Sequence, residues 1–256
     1  MCTVTIHRVP GRIVATMNRD EAFARAPESP PAIVRGPSGV EWMAPRDGER
    51  GGTWMGANSA GVIACLLNAY QPGESLLPDT SGQFRSRGEI IPALLERGPA
   101  DAALAWLSDD FDPEQYPSFT LLVVSDAVAR KIAWLRNGRL DIEPIQSEWT
   151  LVSSSGWDSA EVTRWREAEF ARWLDGDAAM RGTLPEFHLL QPEGKEDWAP
   201  LMNRGWSATR SITQAHFDSA SGTLAMHYWR DPTPASNGPS ASVALERISP
   251  TGIAAR

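Results

Sequence analysis

The chain of 256 residues is poor in the side chains that most often bind metals or form disulfides. Its only cysteines are Cys2 and Cys65, so no framework of disulfides can form, although a single bridge between the two stays open. The four histidines lack zinc-like spacing and no Cys-x-x-Cys motif occurs, so we expect no metal site. Gly-x-Gly-x-x-Gly and Gly-Lys-Ser/Thr motifs are also missing, which leaves nucleotide binding without support.

Long apolar runs and an excess of basic charge are missing as well. No run approaches the length of a membrane span, and the first residues lack the basic and apolar regions of a signal peptide. The net charge of −8 argues against a nucleic-acid surface and against a polybasic membrane face. We therefore expect a cytoplasmic protein with no nucleic-acid partner and no stable membrane insertion, and the oligomeric state stays open.

The composition that remains is typical of one folded domain. Hydrophobic residues make up 42% of the chain and charged residues 22%, and the length suffices for one large core. Neither an internal repeat nor a long linker interrupts the sequence. We expect a single domain over residues 1–256.

Short β-rich runs occur near both ends of the chain, and helical patterns occur in the middle. Residues 3–7 and 12–17, separated by Pro10-Gly11, predict a hairpin. The nearly continuous apolar run at 60–68 indicates a strand buried on both faces. Residues 26–52 are expected to be loop with one short strand near 40–43, and 176–205 to be irregular. Further strands are expected at 119–125, 131–135, 149–153, 209–216, 223–228 and 242–248, and helices at 88–96, 99–108 and 158–174.

Cys2 is the first residue with a chemical signal. Its small side chain allows the initiator Met1 to be removed, which leaves a cysteine that carries both a thiol nucleophile and an α-amine. The α-amine has an ordinary pKa near 7.7–8.0, so it can act as a general base at physiological pH. A small buried hydrophobic residue that happens to follow Met1 would look the same.

Asn18-Arg19-Asp20-Glu21 ends the second predicted strand. If the first two strands pair through the turn at Pro10-Gly11, these residues return close to Cys2. Asp20 can then orient the α-amine, and Arg19 or Asn18 can hydrogen-bond the thiolate or a substrate carbonyl. A solvated charged turn is the ordinary explanation of such a run.

Gly56-Ala57-Asn58-Ser59-Ala60-Gly61 precedes the apolar strand that ends at Asn68. An amide side chain at the end of a buried strand can donate a hydrogen bond to an oxyanion, with its backbone N–H as a second donor. A turn-forming asparagine at a strand end is the competing explanation.

Together these segments resemble the NRDE family, the group that contains the transport and Golgi organization protein 2 homologues. The resemblance rests on Met-Cys-Thr at the start, Asn18-Arg19-Asp20-Glu21, Arg46-Asp47 with Gly51-Gly52-Thr53-Trp54-Met55-Gly56, Ser86-Arg87-Gly88-Glu89, Tyr116 to Val123, and Ala208-Thr209-Arg210-Ser211. It runs across most of the chain.

That family is similar in turn to the N-terminal-nucleophile hydrolases of the choloylglycine hydrolase and penicillin V acylase kind. The resemblance implies an α+β fold, a four-layer αββα sandwich of two stacked, mainly antiparallel sheets. It also implies cleavage of non-peptide amides by the mature N-terminal cysteine. By resemblance, Asp20 contacts the amine of the nucleophile, Asn68 belongs to the oxyanion hole, and Arg210 stands for a late arginine.

The chain departs from the bile-salt hydrolase pattern at two positions. That pattern has an arginine three residues before the aspartate, where this chain has Met17. Arg19 directly precedes Asp20, so its side chain is expected on the opposite face of the strand. A later asparagine of the pattern corresponds to Ser154, which has a shorter donor.

Substrate-binding candidates come from the same segments and from the eleven tryptophans. Trp54, Trp157 and Trp206 lie in Gly- and Ser-rich stretches where they can line an apolar pocket, although core packing explains most tryptophans. Asn58 and Ser154 are the polar candidates for the same pocket.

The sequence therefore leaves three functional hypotheses. The first is an amide hydrolase or acyltransferase that uses Cys2 on linear or cyclic small-molecule amides and needs no cofactor. The alternative is a non-catalytic protein that handles haem or lipid and acyl-CoA on the same scaffold, as the family resemblance implies. His7, His216 or Met residues could then serve as haem ligands. The third is a catalytically inactive structural member.

Overall fold

Two antiparallel β-sheets form the centre of the protein, one built from consecutive strands and the other from separated parts of the chain. The computed structural model describes residues 2–70, 84–156 and 159–246. One sheet has six strands in the order β10-β1-β2-β13-β14-β15, and the other has seven in the order β3-β4-β5-β6-β7-β8-β9. The strands of the six-stranded sheet are β1 (Cys2–Val9), β2 (Arg12–Ala22), β10 (Trp149–Ser154), β13 (Ser207–Asp218), β14 (Thr223–Arg230) and β15 (Ala241–Glu246). Those of the seven-stranded sheet are β3 (Ser29–Arg35), β4 (Glu41–Arg46), β5 (Met55–Asn58), β6 (Ile63–Asn68), β7 (Phe119–Val124), β8 (Ala129–Trp134) and β9 (Leu140–Pro144).

Short helices connect and cover these sheets. The α-helices are α1 (Ile90–Leu95), α2 (Ala100–Asp109) and α3 (Ser159–Asp175), and single 3-10 turns occupy Arg87–Glu89, Pro113–Gln115 and Glu186–Leu189. Two-residue strands, β11 (Met180–Arg181) and β12 (Leu184–Pro185), pair with each other. Within the part of the chain that the structure describes, no helix combines the length and apolar character needed to cross a membrane.

The sheets stack face to face, and the helices cover their outer faces. Val4 of β1, Met17 of β2 and Leu67 of β6 belong to one buried cluster between the sheets. On the outer face of the seven-stranded sheet, residues of α1 and α2 such as Leu94 and Leu107 pack in a second cluster. Helix α3 packs on β10 of the six-stranded sheet. This is the predicted four-layer sandwich, and the α+β fold class is confirmed.

The β1–β2 hairpin alternates between two buried environments. Val4 and Ile6 face the other sheet together with Ala15 and Met17, which are their cross-strand partners. Residues of opposite parity in this part of the hairpin therefore face the α3 side, because successive strand residues point to opposite faces. Both faces are buried, so the register of this hairpin is strongly specified.

Three strands of the two large sheets lie outside the sequence-based expectation, as do the two-residue strands β11 and β12 in the stretch expected to be irregular. β3 lies within the expected loop at 26–52, and β3 and β9 are the two edges of the seven-stranded sheet. Pro30 and Pro31 fall at a register irregularity between Ser29 and Ala32 of β3. A proline has no N–H to donate, so it is tolerated at such an edge and not in a central strand. The four-residue strand β5 was also missed.

Two glycine motifs meet beside the site. A Cβ atom on Gly52 would lie only 2.7 Å from the backbone of Gly88, and the N–H of Thr53 donates to the carbonyl oxygen of Gly88 at 3.0 Å. Only glycine permits this approach of two backbones. The contact fixes the segment that carries Trp54 against the turn before α1.

Candidate functional site

Cys2 lies in the middle of a row that crosses three strands. In the strand register, Cys2 pairs with Arg19 of β2 on one side and with Ser154 of β10 on the other. Directly paired residues in antiparallel strands point to the same face, with Cβ atoms about 4.5–5.5 Å apart. The thiol, the Arg19 side chain and the Ser154 hydroxyl therefore share the face that looks toward the other sheet.

The Cys2 thiol is buried and not activated by its surroundings alone. Burial is the largest influence and raises the pKa of the thiol, and the negative charge of Asp20 adds to this. The backbone N–H of Asp20, hydrogen-bonded to the thiol, and the charge of Arg19 lower the pKa in opposition. The net effect is upward, so nucleophilic chemistry at Cys2 requires a base that removes the thiol proton.

Cys65 is the second thiol of the same core. It lies on β6 of the facing sheet, in the cluster that contains Cys2. Burial, and to a smaller extent the charge of Cys2, raises the pKa of the Cys65 thiol. This is the environment of an inert structural cysteine.

Asp20 lies on the opposite face of β2, toward α3. Its Oδ1 accepts a 2.6 Å hydrogen bond from the hydroxyl of Thr209, its cross-strand neighbour on β13. Its Oδ2 is 3.9 Å from a guanidinium nitrogen of Arg166, and both side chains are fully buried. Burial raises the pKa of Asp20, and the charge of Arg166 is the largest influence that opposes it.

Arg166 is a site residue that sequence reasoning missed. It lies in α3, where Val162, Arg166 and Phe170 are buried at spacings of four. Trp165 is only partly buried, and Arg166 takes the central position of the buried helix face. An arginine midway between Val162 and Phe170 was the signal available in the sequence.

A polar layer underlies the hairpin on the α3 side, and it accounts for Asn18. The Asn18 amide donates to the carbonyl oxygens of His188 and Pro200 at 2.9 and 2.7 Å, and its Oδ1 accepts from Nδ1 of His188 at 2.6 Å. Nε2 of His188 is then left to accept the 2.7 Å hydrogen bond from the Thr5 hydroxyl. The expectation that Asn18 contacts the thiolate is corrected, since Asn18 pairs with Thr3 and faces away from the thiol.

Arg19 leaves the face of β2 opposite to Asp20, as the alternation predicted, and the strand register places it on the side of the Cys2 thiol. Carboxylates compensate its charge. The guanidinium lies 2.9 Å from Asp47, 3.1 Å from Glu28 and 3.3 Å from Glu21. It also lies 4.5 Å from the ring centroid of Trp54. Arg19 therefore ties three acidic residues and Trp54 to the strand that carries Asp20.

Among the carboxylates around Arg19, Asp47 accepts the most hydrogen bonds. Burial opposes its ionisation, but two hydrogen bonds from Arg25 at 2.9 and 3.0 Å and one from the backbone N–H of Arg50 outweigh it. As a result, the pKa of Asp47 is lowered to about 2. The carboxylate stays charged across the physiological range.

The two asparagines of the Gly56–Asn68 segment lie in different environments. Asn58 is fully buried; its amide donates to the carbonyl oxygens of Leu95 and Gly98, both at 2.8 Å, and its Oδ1 accepts from two backbone N–H groups. All its hydrogen-bonding capacity is used, which corrects the expectation of a substrate contact. Asn68 is partly buried at the end of β6 and donates to the Tyr70 hydroxyl at 3.2 Å. Its role as oxyanion donor stays a prediction.

Ser154 and Trp54 carry buried polar atoms with spare hydrogen-bonding capacity. Ser154 Oγ and Trp54 Nε1 are both buried and have no hydrogen-bond partner among the residues that the structure describes. Ser154 is next to Cys2, and Trp54 lies in the cluster that contains Cys2 and under the guanidinium of its neighbour Arg19. Buried donors of this kind are uncommon and suit a bound acceptor.

Trp206 and Arg210 do not belong to this row. The Trp206 side chain is 63% exposed, so it lines a surface and not a closed pocket. Trp157, the remaining tryptophan candidate, lies outside the described residues. Arg210 is the extra residue of a bulge in β13, pairs with Asp231 at 3.4 Å and borders a cavity of about 30 Å³ that reaches Glu28 and Tyr228.

Over residues 2–70, 84–156 and 159–246, no three or more His, Cys, Asp or Glu side chains form a group that could hold a metal ion. Besides the small cavity beside Arg210, a cavity of about 170 Å³ is lined by residues that include Gln191, Met202 and Thr209. Neither of these two cavities is lined by His7 or His216, the histidines considered as haem ligands.

Several solved structures are similar to this chain at low sequence identity. An N-acylethanolamine-hydrolyzing acid amidase orthologue from Caenorhabditis elegans is 9% identical, with 96% of this chain and 100% of that chain covered and a TM-score of 0.49. Penicillin V acylase from Agrobacterium tumefaciens is 12% identical, with coverages of 96% and 91% and a TM-score of 0.46. For a variant of conjugated bile acid hydrolase from Clostridium perfringens the corresponding values are 12%, 96%, 92% and 0.42.

The family assignment comes from the sequence. A comparison with curated proteins found no match. The model of the family described as Transport and Golgi organisation 2 matches residues 1–196, which contain Cys2, Asp20, Arg166 and the glycine motifs. The chain therefore belongs to the Transport and Golgi organisation 2 family.

Proposed function

We propose that the mature protein is an N-terminal cysteine amide hydrolase or acyltransferase that acts on linear or cyclic small-molecule amides. The observation that carries this proposal is the strand register, in which Cys2 starts β1 between Ser154 and Arg19. The buried carboxyl group of Asp20 lies one residue beyond Arg19, on the other face of β2. A nucleophile, a charge beside its amine and a spare donor thus meet at one end of a rigid sheet.

The reaction follows from the two groups of an N-terminal cysteine. After Met1 is removed, the α-amine of Cys2 takes the thiol proton, and the thiolate forms a C–S bond with the carbonyl carbon of the amide. The C–N bond then breaks, and the protonated amine gives its proton to the leaving nitrogen. Water, or an acceptor amine in a transferase, releases the acyl group from the thioester. The raised pKa of the thiol is consistent with this need for an internal base.

Two side chains are suited to stabilise the oxyanion. The Ser154 hydroxyl is buried beside Cys2 and has no partner among the described residues. Asn68 is the donor that the family resemblance assigns, and it exchanges Tyr70 for the carbonyl oxygen when substrate binds. Loss of one such donor typically lowers the rate about 100-fold or more. Ser154→Ala should therefore slow acylation while Cys2 stays reactive toward a simple alkylating reagent.

The test begins with the intact mass of the purified protein, which shows whether Met1 is absent. The protein is then incubated with a panel of N-acyl amides and lactams, and peptide mapping locates any acyl adduct. We expect an adduct on Cys2 in the wild type and in Cys65→Ala, the matched control for loss of a buried thiol, and none in Cys2→Ala. Retention of Met1, or the absence of both adduct and turnover across the panel, would refute the proposal.

A further inference from the structure

Arg166 is a buried cation that the reaction outlined above does not use. Its side chain is fully buried, although it belongs to a helix on the outer face of the sheet. A buried arginine is costly unless its charge and its donors are satisfied. The neighbours of its guanidinium therefore show what this position is for.

The donors of Arg166 fix it in one place. Nε donates to the carbonyl oxygen of Trp198 at 2.8 Å, one terminal nitrogen donates to the Thr3 hydroxyl at 2.8 Å, and the other donates to the carbonyl oxygen of Ala199 at 3.0 Å. These neutral partners accept three of the five N–H groups and do not balance the charge. The nearest carboxylate oxygen that pairs with the guanidinium is Oδ2 of Asp20, at 3.9 Å.

Arg166 contacts the two strands of the hairpin on one face only. Thr3 follows the nucleophile in β1, and Asp20 follows the cross-strand neighbour of Cys2 in β2. One rigid guanidinium therefore contacts both strands on the face opposite the thiol. The position that holds an arginine in the bile-salt hydrolase pattern is occupied here by Met17, which is fully buried in the apolar core between the sheets.

We propose that Arg166 is a positioning residue that keeps the Asp20 carboxyl group charged and directed toward the amine of mature Cys2. The cation comes from helix α3 and not from strand β2. The inference rests on the proposed function for its catalytic meaning, but the state of Asp20 can be measured without any substrate. The other titratable or charged groups that face Asp20 are Arg204, from the segment before β13, and the thiol of Cys2, from β1.

The expected size of the effect follows from the separation. Burial raises the pKa of Asp20, and Arg166 is the largest influence that lowers it. For opposite charges 3.9 Å apart, Coulomb's law with an effective dielectric constant near 20 corresponds to about three pH units. Removing the charge of Arg166 should therefore raise the titration midpoint of Asp20 by up to about three pH units.

The experiment follows the Asp20 carboxyl carbon by NMR in protein labelled with carboxyl-¹³C aspartate, with Asp20→Asn to identify the signal. Arg166→Met removes both charge and donors, Arg166→Gln removes the charge but keeps a donor, and Arg166→Lys keeps the charge. We expect upward shifts in the Met and Gln variants and a midpoint within about one unit of wild type in the Lys variant. Arg164→Met, on the exposed face of α3, is the matched control and should leave the midpoint unchanged.

Acylation of Cys2 is the second readout. Arg166→Met should slow it roughly tenfold or more near neutral pH, and Arg166→Met combined with Asp20→Asn should be no slower than Asp20→Asn alone. If Arg166→Met does not fold, the test uses Arg166→Lys and the double variant. The double variant also removes the buried carboxylate, so it leaves no unpaired buried charge.

A folded Gln or Met variant with the wild-type Asp20 midpoint overturns the inference, as does a Lys variant that shifts as far as the Met variant. If none of the amides acylates Cys2 of the wild type while the Asp20 midpoint moves as expected in the Arg166 variants, the proposed function fails. The pairing of Arg166 with Asp20 then still stands.

Discussion

His188 links protonation to folding in a way that can be calculated from the structure. The imidazole is fully buried and bonded to Asn18 and Thr5, and burial lowers its pKa to about 3 from an ordinary value of 6.5. The folded protein therefore holds His188 neutral, whereas the unfolded chain takes up a proton below about pH 6.5. A base with a lowered pKa contributes stability that is present above its unfolded pKa and is lost as the pH falls.

The magnitude follows from these two pKa values. Between about pH 7.5 and about pH 5 the folded state stays neutral and the unfolded state becomes protonated, so linkage predicts a loss of about 2 kcal/mol in the free energy of unfolding. For a marginally stable domain this is a large fraction of the total. The loss should follow the titration of a free histidine.

Urea denaturation at a series of pH values measures this loss. His188→Gln removes the titrating group and should flatten the pH dependence by about 2 kcal/mol over the same interval, although its stability at high pH is reduced by imperfect hydrogen bonding. His227→Gln is the matched control, because His227 is only partly buried and should account for a small part of the slope. A wild-type slope that survives unchanged in His188→Gln would refute the reasoning.

Three further predictions concern neighbouring contacts. The pKa of Asp47 is lowered to about 2 from 3.8, which implies about 2 kcal/mol of stability that is present above about pH 4 and lost as the pH falls toward 2. Acid unfolding of Asp47→Asn, measured by circular dichroism, should lack this component. An acid transition equal to that of the wild type would contradict the prediction. Thr209→Val removes the hydroxyl that donates to Asp20 and should lower the free energy of unfolding by about 1–3 kcal/mol, whereas Thr209→Ser should retain most of the stability. Equal melting temperatures for the two variants would count against this hydrogen bond. In urea denaturation, Trp54→Phe should lower the free energy of unfolding less than Trp134→Phe does. Nε1 of Trp134 donates to a buried carbonyl oxygen at 3.2 Å, whereas Nε1 of Trp54 has no partner among the described residues. The reverse order would be inconsistent with the structure.

Much of the fold could be predicted because its signals are local. The turn at Pro10-Gly11 and the alternation on both sides of it predicted the β1–β2 hairpin, and the apolar run at 60–68 predicted β6. β3 was missed because its prolines are acceptable only at a sheet edge. Whether a strand lies at an edge depends on its neighbours, which the local sequence does not contain.

For the candidate site, the sequence by itself determined that Cys2 and Asp20 come together and that Arg19 and Asp20 leave opposite faces of one strand, since a tight hairpin and a period of two decide both. Only the tertiary structure decided that Arg19 pairs with Cys2, that Asn18 is committed to His188, and that the buried charge facing Asp20 comes from Arg166 in α3. A single helical arginine has no local pattern that names its partner. Its partner is set by how the helix packs on the sheet, which depends on residues far apart in the chain.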